Sequence, residues 1–304
     1  MTDTRPPAPD IHRVGVVGCG LMGAGIAEVC ARAGLDVVVH EVNADAAKAG
    51  RSRIAASLER AVGRGRLSGE EREAALDRLR VTADLTDLAD RDAVLEAATE
   101  NEAVKLDLFA ALDRIVMRED ALLASNTSSL PVMKLGMATA RPHRVIGVHF
   151  FNPVPVLNLV EIVPSLLTSP QTQARAEEFV TGRLGKQVIR SQDRAGFVVN
   201  ALLVPYLLSA IRMLESGFAS AEDIDNGMVL GCAHPLGPLS LADLIGLDTL
   251  AAIADSMYGD IKEPLHAAPP LLLRMVEAGL LGRKSGRGFH DYADSPYSLS
   301  QKGS

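Results

Sequence analysis

His149 and Glu161 are a pair of side chains in this 304-residue sequence that could move a proton together. Glu161 lies twelve positions after His149, and Asn152-Pro153 turns the chain between them. His149 follows the apolar run Val145–Val148, and Glu161 lies inside a second run, Leu159–Val163. If these runs are antiparallel or adjacent strands, imidazole and carboxylate come within hydrogen-bond reach. A carboxylate placed there fixes the tautomer and stabilises the imidazolium once a proton arrives, which is what a general base needs. The competing reading is a structural histidine at the end of a strand.

A second constellation is Gly18-Cys19-Gly20-Leu21-Met22-Gly23, a G-x-G-x-x-G directly after an apolar run and opening a helix. The first glycine permits the tight turn, the second lets the backbone approach a pyrophosphate, and the third lets helix and strand pack closely. The helix N-terminus then offers unpaired N–H groups and partial positive charge to phosphates. Gly18, Gly20, Leu21, Met22 and Gly23 are therefore expected to hold a dinucleotide. Glu41, 23 residues after Gly18, ends the next strand, where an acidic side chain accepts hydrogen bonds from a ribose diol. It would repel the extra phosphate of NADP, so NAD is the expected cofactor; the plain alternative is an ordinary loop carboxylate. Cys19 places a thiol near the expected pyrophosphate, so alkylation is expected to inhibit and NAD to protect.

Ser125-Asn126-Thr127-Ser128-Ser129 follows another apolar run. Its hydroxyls and amide could bind a substrate oxygen or a nicotinamide carboxamide, or could cap a helix before Leu130-Pro131.

The elements that must position these groups alternate. Apolar runs at Val14–Gly18, Val37–Val39, Val94–Ala98, Ala121–Ala124 and Val145–Val148 are separated by helical stretches at Leu21–Ala33, Ala44–Val62 and Lys105–Val116. Gly34 stops the first helix, and Ser68 with Glu71 forms a capping box for a short one. This rhythm predicts βαβ units in a doubly wound, mostly parallel α/β sheet of Rossmann type. Leu159–Val163 and Gln187–Ile189 are two further strands, with a helix from Ser169-Pro170 to about Arg183 between them. Beyond Gly196 the pattern is helical: Val199, Leu202, Leu203, Tyr206, Leu207, Ala210, Met213 and Leu214 keep a 3.6-residue stripe. The expected domains are thus residues 12–192, binding NAD, and a smaller all-α domain over 193–304, with the boundary near 191–196.

Composition bounds the rest. Hydrophobic residues at 47% and charged residues at 23% fit a globular protein and exclude a disordered chain. The formal charge of −7, a tryptophan-free sequence and 4% aromatics argue against nucleic-acid binding. The total conceals a local excess. Lys48, Arg51, Arg53, Arg60, Arg64 and Arg66 against Glu59 make residues 48–66 +5, leaving −12 for the remainder. Arg53, Ser57, Arg60 and Arg64 recur at helical spacing on one face. Cys19, Cys30 and Cys232 form neither a disulfide framework nor a zinc pattern, and no metal site is expected. With no apolar run near the ~20 residues of a spanning helix and no secretory signal, a cytoplasmic protein is the expectation.

The sequence resembles the 3-hydroxyacyl-CoA dehydrogenases, most closely the short-chain, 3-hydroxybutyryl-CoA type. The resemblance spans roughly residues 12–293 and rests on Gly15–Ala27, Ala124–Leu130, Gly147–Val156, Leu159–Ile162, Gly196–Asn200, His234–Leu239, Gly246–Thr249 and Gly282–Phe289. The signatures His-Phe-Phe-Asn-Pro and Ser-Asn-Thr-Ser are its most specific parts. It implies NAD-dependent interconversion of a short-chain (S)-3-hydroxyacyl-CoA and its 3-ketoacyl-CoA, with His149 as catalytic base and Glu161 as its partner. It implies that Ser128 and Asn200 hold the reacting oxygen. Glu100, Lys105, Asn152 and Lys284 are implied to line the cofactor and active-site cleft, and Ser57 and Arg64 to contact CoA. The basic face fits CoA phosphates through charge-assisted bonds, against the alternative of a solvated helix face. Two departures stand out: Glu41 replaces the usual Asp, and Cys19 the usual Ala.

The resemblance further implies a homodimer through the helical domain, for which Leu202–Leu208 and Pro269–Leu273 offer apolar surface. The alternatives are a relative oxidising a carrier-bound 3-hydroxyacyl group or another 3-hydroxy acid, and a non-catalytic NAD-binding protein.

Overall fold

A computed structural model describes residues 11–292. The chain divides between Arg194 and Ala195 into two compact units. The first contains β1 (Arg13–Val17), α1 (Leu21–Arg32), β2 (Asp36–His40), α2 (Ala44–Gly63), α3 (Gly69–Asp77), β3 (Leu79–Thr82) and β4 (Ala93–Glu96). It continues with α4 (Glu102–Ile115), β5 (Leu122–Ser125), α5 (Val132–Met137), β6 (Val145–Phe150), β7 (Leu159–Pro164), α6 (Pro170–Glu178) and β8 (Gln187–Arg190).

The eight strands form one sheet in the order β3-β2-β1-β4-β5-β6-β7-β8. All neighbouring pairs are parallel except β6 with β7. The doubly wound, mostly parallel Rossmann-type fold expected from the alternation is the fold observed. Its strand order reverses between β1 and β4, and a ligand crevice opens at such a switch point, beyond the carboxyl ends of the strands. β4, β5 and β6 are buried along their whole length, as strands covered on both faces must be. One core joins Val14, Val16, Ile26, Val37, Val39, Leu95, Ile146 and Phe150 with Ile54 and Leu58 of α2.

The local signals explain where elements begin. Asn43 caps α2 through Ala46 N–H at 2.8 Å, and the Ser68–Glu71 capping box is complete. Asn101 accepts from Val104 N–H at 3.1 Å, so α4 begins at Glu102 rather than at Lys105. Three expectations need correction. β3 was not expected, because Leu79-Arg-Val-Thr82 is a short edge strand with only Leu79 buried. The helix expected to run from Ser169-Pro170 to Arg183 is α-helical only to Glu178, and Phe179–Arg183 widens into a π turn. The run Val94–Ala98 leaves the sheet after Glu96, and Ala97 and Ala98 instead abut the glycine loop.

The second unit is helical: α7 (Val199–Glu215), α8 (Ala221–Cys232), α9 (Pro238–Ile245), α10 (Leu247–Ile261) and α11 (Pro270–Glu277). Leu207, Leu208, Ile211, Leu239, Leu247, Met257 and Leu272 form its core. Asp225 of α8 accepts from Leu239 N–H at 2.8 Å and Ser240 N–H at 2.9 Å, capping α9 from a neighbouring helix. The surface expected for a dimer is therefore narrower than two whole stretches. Leu207, Leu208 and Leu272 point into their own core, while Leu202 and Leu273 are exposed.

Candidate active site

The glycine loop is shaped by contact as well as by composition. Gly18 has φ +88°, and a Cβ there would lie 2.8 Å from the Ala97 carbonyl oxygen. A Cβ at Gly23 would fall 1.9 Å from the Gly18 carbonyl, so α1 can approach the loop only with glycine at that position. Gly20 is the opposite case, because its Cβ would meet nothing within 4 Å. Gly20 is also the N-cap of α1 and supplies no side-chain acceptor to the first N–H groups of that helix. These residues fit a pyrophosphate.

Cys19 lies between the first two glycines and is held on three sides. Its N–H donates to Glu41 Oε1 at 2.6 Å, and its carbonyl accepts from the Arg53 guanidinium. Its side chain is fully buried against Gly50, where a Cβ would lie 2.7 Å from the sulfur. Burial pushes the Cys19 thiol up to about 11, the Glu41 carboxylate adds to that, and Arg53 opposes it. A buried thiol held that far from ionisation is a poor nucleophile, which weighs against ready alkylation here. Arg53 has a second place. It stands on the exposed face of α2 and also reaches the glycine loop.

At the ends of β4 and β5 a charge cluster built on the buried Glu96–Lys105 pair organises the next loop. Lys105 of α4, 1% exposed, donates to both Glu96 oxygens at 2.8 Å and pairs with Glu100 at 3.0 Å. Glu96 also accepts from the Ser125 hydroxyl at 2.6 Å and from Ala98 N–H at 2.7 Å. Glu100 accepts from the Thr127 hydroxyl, from Ser128 N–H at 3.0 Å and from the Ser129 hydroxyl at 3.0 Å. Burial pushes the Glu100 carboxyl up, but the Lys105 ammonium and the Thr127 and Ser128 donors outweigh it and hold it below the usual range. Of the loop hydroxyls, those of Ser125, Thr127 and Ser129 are thus engaged internally. Among the described residues the half-buried Ser128 hydroxyl makes no hydrogen bond, which leaves it for a ligand.

β6 and β7 carry the pair with which the sequence reading began. Their antiparallel register sets His149 directly opposite Glu161, and His149 Nδ1 lies 2.7 Å from Glu161 Oε2. Glu161 is fully buried and His149 is 6% exposed, so little water competes for the bond. A carboxylate at Nδ1 makes that nitrogen the donor and Nε2 the basic one. Asn126 Oδ1 accepts from Phe150 N–H at 2.9 Å, which ties the Ser125–Ser129 loop to the residue after His149. Lys186 Nζ donates to the Val154 and Leu157 carbonyls at 2.8 and 2.7 Å and holds the β6–β7 connection.

The remaining expected residues take separate places. Asn152 is exposed at the start of the β6–β7 connection, joined to Pro153 by a cis peptide. Ser57 is half-buried on α2 and Arg64 is its exposed C-cap. Asn200 lies in the first turn of α7, and Lys284 Nζ bonds Asp248 Oδ2 at 2.7 Å; both belong to the second unit. Glu96 and Lys186 go unassigned in the sequence, where Arg53 reads only as one cation of the basic α2 face. Glu96 alone left a signal, as a lone charge inside the apolar run Val94–Ala98.

Residues 13–194 match the NAD-binding domain of 3-hydroxyacyl-CoA dehydrogenases, and residues 196–292 match their C-terminal domain. A 3-hydroxybutyryl-CoA dehydrogenase of Mycobacterium tuberculosis is 61% identical over 282 residues, covering 93% of this chain and 99% of that one. One from Bradyrhizobium diazoefficiens is 45% identical, over 93% and 96% of the two chains. The crystal structure of M. tuberculosis FadB2 aligns with a TM-score of 0.92 at 61% identity, over 93% of this chain and all of that one. That of the (S)-3-hydroxybutyryl-CoA dehydrogenase PaaH1 from Ralstonia eutropha aligns at 0.88 and 44% identity, over 93% and 99%. With both domains matched in order, and a nucleotide loop built to fit NAD, the chain belongs to the 3-hydroxyacyl-CoA dehydrogenase family of NAD-dependent oxidoreductases.

Proposed function

We propose that the chain interconverts a short-chain (S)-3-hydroxyacyl-CoA, of the 3-hydroxybutyryl class, and its 3-ketoacyl-CoA. The observation that carries this reading is the buried His149–Glu161 bond, set by strand register at the ligand edge of an NAD-binding sheet. NAD, when bound, supplies the hydride acceptor; the protein supplies position and electrostatics. His149 Nε2 takes the proton of the substrate hydroxyl in oxidation and returns it in reduction. Glu161 holds Nδ1–H and stabilises the ring while it is cationic. The Ser128 hydroxyl holds the reacting oxygen. Glu100 and Lys105 fix the loop that carries Ser128, with Asn152 as a further contact of the cofactor cleft. Glu41 takes the adenosine ribose, and Ser57 with Arg64 meets the CoA moiety.

The substrate class follows from the names of the relatives and from the basic surface of α2. Two chains associate through the helical unit, where Leu202, Phe218, Leu230 and Leu273 are exposed. The cytoplasm is the compartment this reading assigns: all three thiols are unpaired, and among the described residues no helix is long and apolar enough to cross a membrane.

The test follows NADH absorbance with acetoacetyl-CoA, longer 3-ketoacyl-CoA esters, the same acyl groups on a carrier protein, and free 3-keto acids. The highest kcat/KM is expected with acetoacetyl-CoA. A preference for the carrier-bound or free acid would replace the proposed substrate, and no turnover of any would leave a binding protein.

A further inference from the structure

We propose that Arg53 is a resident receptor for a 2′-phosphate, overruled by Glu41, so that neutralising Glu41 alone admits NADP. The inference rests on the reading of Glu41 as the ribose-facing carboxylate. Glu41 and Arg53 come from different elements, the end of β2 and the middle of α2, and meet at one residue. Cys19 N–H donates to Glu41 Oε1 at 2.6 Å, and the Cys19 carbonyl accepts from Arg53 Nη1. Carboxylate and guanidinium are thus anchored on the two sides of the residue between the first two glycines, where a bound dinucleotide crosses the loop.

The guanidinium is not used up by that anchor. Arg53 is exposed, and among the described residues it donates to the Cys19 carbonyl alone and forms no ion pair, with Glu41 or any other carboxylate. Four of its five N–H donors remain for a ligand. Toward a ribose hydroxyl Arg53 is nearly indifferent, whereas a carboxylate accepts from it well. Toward a phosphate the preferences reverse, since guanidinium pairs with phosphate bidentately and a carboxylate repels it. In dinucleotide sites the two specificities use an acidic residue or a nearby arginine. This chain carries both, and the buried Cys19 with Gly50 beneath it keeps them in register.

The experiment titrates wild type, Glu41→Ser, Glu41→Gln, Arg53→Ala and Glu41→Ser/Arg53→Ala with NADH and NADPH, read by nicotinamide fluorescence. Either position-41 variant is expected to bind NADPH about tenfold or more tightly than wild type does, the value of one charge-assisted bond gained. Adding Arg53→Ala is expected to abolish that gain, while Arg53→Ala alone changes NADH binding only a few-fold. If the double variant keeps the gain, Arg53 is not the receptor and the inference fails, while the reading of Glu41 stands. If position 41 alters neither NADH nor NADPH binding, the reading of Glu41 fails as well. Should both position-41 variants not fold, competition against NADH by 2′,5′-ADP and by 5′-AMP decides between wild type and Arg53→Ala. A selective weakening of 2′,5′-ADP supports the inference; equal weakening of both nucleotides overturns it.

Discussion

His149 and Glu161 are directly opposed residues of the antiparallel β6–β7 pair, with Nδ1 and Oε2 2.7 Å apart in a buried setting. Strand register, not a loop, fixes this distance, so the pair is as rigid as the sheet. Glu161→Gln keeps the shape and an acceptor for Nδ1–H but loses the charge that stabilises the imidazolium. Steady-state kinetics of this variant are expected to show kcat reduced by about ten- to a hundredfold, with KM for NADH little changed. An unchanged kcat would remove Glu161 from the mechanism.

The Glu96–Lys105–Glu100 cluster predicts a stability effect. Lys105→Met would leave the fully buried Glu96 without its cation, and breaking a buried pair costs about 3–5 kcal/mol. Thermal or urea unfolding is expected to show a loss of that order. Glu96→Gln, which keeps an acceptor for Ser125, is expected to cost less. Equal stability of Lys105→Met and wild type would mean that the cluster is not a structural anchor.

The cysteines give a chemical test. Burial raises the Cys19 thiol to about 11 and Cys30 is also buried, whereas Cys232 is exposed. Iodoacetamide under native conditions followed by peptide mass spectrometry is expected to label Cys232 and to spare Cys19 until denaturant is added. Comparable labelling rates at Cys19 and Cys232 would contradict the packing of the glycine loop.

Acid stability follows from Asp92 and Glu100. Burial pushes Asp92 up, but the His12 and Arg13 N–H groups and the Arg13 guanidinium hold it below its ordinary 3.8. Glu100 is likewise held low. A carboxyl depressed in the folded state contributes stability above its unfolded pKa of about 4, and loses it as pH falls through the lower folded value. Urea midpoints are therefore expected to be flat in these groups' contribution above about pH 5 and to fall below pH 4. Asp92→Asn is expected to lower the neutral-pH midpoint and flatten the acid slope; an unchanged slope would contradict the assignment.

Much of this fold is legible in the sequence because its signals are local. Ser68 and Gly34 punctuate helices by their own chemistry, and the apolar runs of buried strands stand out against charged helices. The glycine loop is legible for the same reason, since its G-x-G-x-x-G spacing lies within six consecutive residues. What stays hidden depends on contacts between distant segments. Arg53 reads as one cation of a basic helix until the fold brings the Cys19 carbonyl to it. Lys186 reads as a solvated lysine until the Val154 and Leu157 carbonyls surround its ammonium. β3 is illegible because an edge strand with one buried residue carries almost no periodic signal.

The most direct test of the central claim is acetoacetyl-CoA reduction by wild-type and His149→Gln protein, with NADH binding measured in parallel by fluorescence. The variant is expected to bind NADH like wild type and to lose at least about a hundredfold in kcat, the contribution of a positioned acid–base. Near-wild-type turnover by His149→Gln would contradict it.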